Sequence, residues 1–512
     1  MVDLNCRGPH RCGRHTAAIA DRLRLHSKTD GSPILTAWGP TGDLANVTAN
    51  MLLFRLLLAV VVLAPLPLAS NRPWAWSLLA VVTGVLCGSW AVLVPLGAAR
   101  APMPFRRLWA VAVPFLMVLA WAFLQTSGLL PPSLWHSLWQ GAGPVLEGAS
   151  GGALSGMVSA DPALTRAAIL RMATYGAIFW LAVQLGRERV RAREGLVTVA
   201  VAGTVYALYG LIVYFSGNHT ILWLEKWAYT DDLTATFVNR NAYGAYAAIG
   251  MMCCLALFMH ALQPRRHGSR DGGPRAYELA ETVLVRALPY LLAVVMLGTA
   301  MLLSHSRGAL LSTGVAFGIL MVMLTLGRII RLRMALVLGL LVLGIGLVML
   351  SVSGDVTVQR LAEQTDEERT SAYALILRAI GDTPLTGTGL GAFEPTFHLY
   401  RDTSLSRPVV WDYAHNVPLE LVLDLGIPAA VLYYLSLAVV AGVCIRGVVR
   451  RRRDQIYPAV ALSVAALLAA HGMVDFSAQI PAVAATLALL LGLGYAQSWS
   501  TVEHHDSDER HS

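Results

Sequence analysis

The chain has 512 residues, 56% of them hydrophobic and only 14% charged, with a formal net charge of +8. Long apolar runs alternate with short basic clusters, which describes an integral membrane protein. The positive charge does not point to nucleic acid, because the arginines sit in the gaps between apolar runs, where they set topology.

Residues 1–50 are polar, basic and without periodicity, and they lack the apolar core that follows the basic start of a signal peptide. The expectation is either a disordered tail or a true start at Met51. Cys6 and Cys12 lie there beside His10 and His15, but no second pair follows at zinc-site spacing. The six cysteines form no disulfide framework; Cys87, Cys253, Cys254 and Cys444 fall inside apolar runs as small packing residues.

A helix needs roughly 20 apolar residues to cross the hydrocarbon. By that measure there are about twelve candidate spans, near 52–70, 74–96, 108–124, 167–185, 196–215, 242–262, 288–304, 309–326, 334–352, 417–445, 457–474 and 481–499. The runs are too long and continuous for barrel strands. The expected fold is therefore all-α and polytopic: a transmembrane bundle over 51–352, a large loop over 353–416, C-terminal transmembrane helices over 417–499 and an acidic, histidine-rich tail over 500–512.

One alternate set of gaps holds Arg100, Arg106 and Arg107; Arg187, Arg189, Arg191 and Arg193; Arg265, Arg266, Arg270, Arg275 and Arg286; Arg328, Arg331 and Arg333; and Arg446 with Arg450 to Arg453. The positive-inside rule makes that side the cytoplasm, with both termini there.

On the outer side, Trp135 and Trp139 have the spacing of a short interfacial helix. Trp223, Trp227 and Tyr229 read equally as belt aromatics or as a platform for a sugar or lipid. In the large loop, Arg369 to Ile380 reads as a helix stopped by Gly381-Asp382-Thr383-Pro384. The glycine-rich run Gly387 to Phe393 reads as a tight turn over a substrate cavity rather than a nucleotide signature, since no strand precedes it.

Five polar sites fall on the outer side under an orientation fixed by arginine counts alone. They are Phe237 to Asn241, Ser304 to Gly308, Arg369, His415-Asn416 with Glu420, and His471 to Phe476. Arg307 and Arg369, with Arg240 as a third candidate, are permanently charged forks matched to phosphate oxygens. Histidine ordinarily titrates near neutrality, so His415 suits the removal of a proton from a sugar hydroxyl, and Glu420 orients the imidazole if a helix begins close by. Asn239, Asn241 and Asn416 offer amides for sugar hydroxyls or for backbone capping, and His305 is a further polar candidate. Asp475 reads as the cap of a short turn, His471 as a buried, hydrogen-bonded histidine, and Asp231-Asp232 as no metal site. No metal and no cofactor are expected.

At these residues the chain resembles the O-antigen ligase and O-antigen polymerase superfamily of bacterial inner-membrane proteins. The likeness covers most of residues 51–499 and is strongest over Thr236 to Tyr246, Ser304 to Leu311, Asp382 to Phe393 and His415 to Gly426, with His471 to Ala482 similar to the closing signature. Tyr373 stands four residues after Arg369, where a Trp is common. The resemblance implies a GT-C-like glycosyltransferase that takes a glycan from an undecaprenyl-diphosphate carrier in the periplasm, without a nucleotide. The acceptor is a glycan, lipid A core or protein hydroxyl. It implies that His415 activates that hydroxyl while arginines hold the diphosphate. A transporter or flippase of lipid-linked oligosaccharide is the alternative class, although no internal repeat of the kind transporters carry is found.

Overall fold

The computed structural model describes residues 40–150, 156–263, 281–340, 344, 365–405 and 410–500. Contacts divide the chain into two units, Met1–Leu44 and Ala45–Ser512. The tail up to residue 39, most of the candidate span 334–352, the start of the large loop to residue 364 and the tail from 501 lie outside the described residues.

The protein is predominantly helical. The first described helix is α1 (Pro40–Leu63), which contains Met51. There follow α2 (Pro73–Leu93), α3 (Trp109–Gln125), α4 (Ser137–Ser150), α5 (Pro162–Leu185) and α6 (Arg189–Phe215). A hairpin pairs β1 (Thr220–Ile221) with β2 (Leu224–Glu225), Thr220 opposite Glu225. Then come α7 (Arg240–Ala261), α8 (Leu288–Leu303), α9 (Arg307–Leu326), α10 (Thr365–Asp382), α11 (Phe393–Tyr400), α12 (Val417–Leu425), α13 (Ile427–Arg450), α14 (Ile456–Gly472) and α15 (Pro481–Gln497).

Among the described residues, 7 helices are long and apolar enough to cross a membrane: α2, α5, α6, α7, Val283–Leu303, α9 and α13. Thr48–Leu63, α3, α14 and α15 are shorter apolar helices. The segment near 417–445 is not one continuous helix. It breaks at Gly426, which takes φ 77° between α12 and α13. The cause is close approach: a Cβ on Gly426 would meet the Leu385 carbonyl, and one on Gly387, at φ 65°, would run into the Asp424 carbonyl. Two glycines thus let the glycine-rich loop lie against the α12–α13 junction.

Helix α7 is the centre of the bundle, with 83% of its apolar window inside the protein. Its small residues allow this; a Cβ on Gly203 of α6 would stand 3.1 Å from the Gly250 Cα. Helices α6, α8, α9 and α14 pack around it. The described part of the large loop has a small core of its own, in which Ile376, Phe393 and Phe397 meet Leu423 of α12.

Four of the arginines assigned to one side meet at one end, around Trp499, while Arg265, Arg266, Arg270 and Arg275 lie outside the described residues. Arg187 donates to the carbonyls of Ala496 (3.0 Å) and Trp499 (2.9 Å), Arg451 also donates to Trp499, and the guanidinium groups of Arg107 and Arg446 lie 5.0 and 4.4 Å from the Trp499 ring centroid. Helix α6 leaves that end at Arg189 and stops at Phe215, so the hairpin and the start of α7 belong to the other end.

Candidate functional site

Three helix starts build the site, and in each the chain selects its own cap. Asn239 precedes α7 and accepts from the N–H groups of Asn241 (2.7 Å) and Ala242 (3.1 Å). Ser306 precedes α9 and accepts from Ala309 (3.2 Å). Asn416 precedes α12, accepts from Leu419 (3.0 Å) and donates to the Met473 carbonyl (3.0 Å). The carboxamide oxygens of Asn239 and Asn416 are therefore committed to helix capping. Asn241 is different, because its side chain donates to Asp475 at 2.6 Å.

Two carboxylates organise the rest. Asp232, next to the hairpin, holds Arg240 at 2.9 Å and the Nδ1 of His305 at 2.7 Å, one on each oxygen. The Arg240 guanidinium also lies 5.4 Å from the ring centroid of Tyr229. Asp475 accepts from Asn241 on one oxygen and from the Ser477 hydroxyl (2.8 Å) on the other. The oxygen facing Asn241 lies 3.9 Å from the Nδ1 of His415, an ion-pair distance beyond hydrogen-bond length.

The His415 ring is wedged edge-on between Trp411 and Phe476, with centroids at 5.7 and 5.0 Å. Its side chain is 29% exposed while that of Asp475 is 2% exposed, so the imidazole looks outward from a buried anion. His415 and His305 both have left-handed backbones, φ 52° and 50°, which cost a non-glycine residue about 1 kcal/mol and cluster at functional sites. The Tyr373 hydroxyl fixes this conformation by donating to the His415 carbonyl at 3.0 Å.

Glu420 does not reach the imidazole in this arrangement. Its carboxylate accepts from the Ala414 N–H (2.8 Å) and from Gln479 (2.8 Å), and so braces the backbone immediately before His415. The residue facing the ring is Asp475, read from the sequence as a cap. The Ser477 bond shows that it caps the turn as well. His471 is buried, as expected, yet among the described residues neither ring nitrogen has a hydrogen-bond partner.

The arginines assemble unevenly. Arg369 sits in the first turns of α10, and its charge, with those of Arg240, Asp232 and Asp475, acts on the Tyr229 hydroxyl, whose pKa is raised first of all by burial. Arg307 is exposed at the first position of α9. Its neighbour Gly308 packs so tightly that a Cβ there would stand 3.1 Å from the His471 Nε2 and 3.4 Å from Val474, which brings the start of α9 against the strand of chain entering Asp475. Burial alone would raise the Asp475 carboxyl. The facing imidazoles of His415 and His471 and the Ser477 hydroxyl outweigh it and hold the group below the usual carboxylate range.

Sequence reasoning missed Asp232 and Tyr373 as parts of this region, and it did not single out Arg171. Arg171 lies within α5, 5.8 Å from the Trp76 ring centroid. The signal for it was an arginine inside an apolar run, which is rare without a task. Asp232 gave no such signal, since its partners are fixed only by the fold.

Residues 292–434 match the family model described as O-antigen ligase, and the resemblance read from the sequence holds over that stretch. It contains His305, Arg307, Arg369, His415, Asn416 and Glu420, while Asp232, Asn239, Arg240 and Asn241 lie before it and Asp475 after it. No curated protein matches the chain. The chain is thus similar to the O-antigen ligase family over residues 292–434, and it carries, among the described residues, 7 helices long and apolar enough to cross a membrane.

Proposed function

We propose that the protein transfers a glycan from an undecaprenyl-diphosphate carrier to an acceptor hydroxyl at the periplasmic face of the inner membrane. About twelve spans and cytoplasmic termini complete this reading. One observation carries it: a part-exposed imidazole backed at 3.9 Å by a buried carboxylate, at the end of the bundle where Arg240 and Arg307 start their helices and Arg369 lies in the first turns of α10.

The chemistry follows from the groups. The acceptor oxygen attacks the anomeric carbon and forms the new glycosidic bond, its proton passes to His415, and the bond from the sugar to the diphosphate breaks with its electron pair on the leaving phosphate. Asp475 stays anionic at neutral pH and compensates the imidazolium as it forms. Arg307 and Arg369 are the cations offered to the leaving diphosphate. Arg240 shares its charge with Asp232, so it contributes through the hydrogen bonds left on its fork. His305 and Asn241 line the same region for the sugar, while Glu420, Asn239 and Asn416 hold the backbone that presents these groups. The pairing of cations near a phosphate with an imidazole near a hydroxyl is proximity and electrostatic catalysis combined.

His415→Ala and Arg307→Ala, each expressed at wild-type level, are expected to abolish surface-glycan transfer in cells. Wild-type transfer in both would remove the assignment. The exposed Asp412, changed to Cys, is expected to react with an impermeant maleimide from outside spheroplasts; labelling only from the cytoplasmic side would overturn the orientation.

A further inference from the structure

A second recess lies apart from the histidine and the arginines. Its volume is about 440 Å³, within the range of small-molecule sites. Trp135, His136 and Gln140 form one wall, and Asp382, Thr383 and Tyr400 form the other.

The walls are fixed in advance. The Trp135 indole donates to the Leu130 carbonyl at 3.0 Å, and its ring lies over Gly156, where any Cβ would collide with it. The His136 N–H donates to Met157 (2.8 Å), and Ala160 donates to Thr388 of the facing loop (2.8 Å). The Tyr400 hydroxyl donates to one oxygen of Asp382 at 2.9 Å. That leaves the carboxylate with acceptor capacity toward the recess.

The lining is selective by charge. It offers a carboxylate, an amide, an imidazole, hydroxyls and an indole, and no arginine or lysine is among the described residues that line it. A diphosphate would meet the Asp382 carboxylate, and the cation nearest that wall, Arg378, one turn back on α10 where its charge acts on Tyr400, is not among the described lining residues. A neutral polyhydroxylated ring finds acceptors and donors at its hydroxyls and an aromatic wall for its apolar face.

Position supplies the last step. The rim includes Thr386 and Gly387, the start of the glycine-rich loop. Gln125 donates to the carbonyls of Thr386 (2.8 Å) and Asp424 (2.9 Å), so the loop is a partition tied to α12, whose Glu420 holds Ala414 next to His415. The recess is therefore beyond the loop from the reacting groups.

We propose that this recess is a glycan subsite that holds a neutral saccharide segment, of about one or two pyranose rings by volume, remote from the reacting end. The proposal rests on the glycosyltransferase reading for its ligand and on the recess for its location.

The test uses the full-length protein in nanodiscs, carrying His415→Ala to prevent turnover. The probe is oligosaccharide of increasing repeat number, released by mild acid from the bacterium's own surface polysaccharide and titrated by calorimetry. Binding is expected, weakened about tenfold by Asp382→Asn or Gln140→Ala and lost in Ser133→Trp, which fills the recess from an exposed rim position. In transfer assays with His415 intact, Asp382→Asn is expected to raise KM for long-glycan donors about tenfold at unchanged kcat, and to leave a single-repeat donor unaffected. Unchanged affinity in Asp382→Asn and Ser133→Trp, or equal losses at every glycan length, would overturn the proposal. If no form of the chain transfers glycan, the catalytic reading fails, while the titration still decides whether the recess binds saccharide.

Discussion

Asp475→Asn isolates what the buried carboxylate does for His415. The substitution keeps the shape of the side chain and removes its charge, 3.9 Å from the Nδ1. At that separation an ion pair is worth about 4 kcal/mol at an effective dielectric constant of about 20. The imidazole is part-exposed, and its charge is only partly developed at the transition state, so about half to all of that figure is realised. The expected loss is about thirtyfold to a thousandfold in kcat. Because the imidazole is charged only after it takes the proton, KM is expected to hold. The assay is initial-rate transfer from a purified lipid-linked donor, with size-exclusion and melting profiles confirming that the variant folds. Asn241→Ala is the control. It removes a hydrogen bond to the same carboxylate and leaves the charge in place, so a loss of only a few fold is expected. A kcat within a few fold of wild type for Asp475→Asn, or a loss confined to KM, would refute the reasoning.

Three further outcomes follow from the same geometry. Tyr373→Phe removes the bond to the His415 carbonyl, worth about 1 kcal/mol; kcat is expected to fall about fivefold to tenfold with KM unchanged, as steady-state kinetics will show. Gly387→Ala adds a Cβ at φ 65° against the Asp424 carbonyl and is expected to cost at least about 2 kcal/mol, read as a lowered melting temperature in detergent. Asp475 is held below the ordinary carboxylate range when folded. The stability its ionised form contributes is thus present in full above its unfolded value, near 3.9, and is lost as pH falls through the lower folded value. The stability difference between wild type and Asp475→Asn is expected to shrink in strong acid, in pH-dependent melting; a difference that persists unchanged there would contradict the assignment.

Much of the helical layout was legible because length and hydropathy are local properties. Arg369 to Ile380 read as a helix and lies within α10, and four of the arginines counted to one side, Arg107, Arg187, Arg446 and Arg451, meet around Trp499. Local reading failed where backbones cross. The run near 417–445 looked continuous, but Gly426 breaks it because Leu385, distant in sequence, passes against it. The sequence Leu425-Gly426-Ile427-Pro428 carries that signal, a glycine with a proline two residues on, inside an apolar run that hides it. The site divided in the same way. Residue type alone nominated His415 and the arginines, since an imidazole and guanidinium groups at helix mouths are chemically conspicuous. Glu420 is the carboxylate near His415 in sequence, whereas Asp475, the one that faces the ring, arrives through a turn between two other helices. The link from Asp232 to His305 spans 73 residues and is likewise invisible locally.

The account rests on chemistry at His415 rather than on movement of a lipid-linked glycan across a membrane. The most direct test is the purified protein in detergent, where no leaflet exists to cross, supplied with an undecaprenyl-diphosphate-linked glycan and a hydroxyl acceptor. Glycosylated acceptor and released undecaprenyl diphosphate are expected in equal amounts from the wild type, and neither from His415→Ala. No product from a folded, donor-binding wild type, or equal product from both proteins, would contradict it.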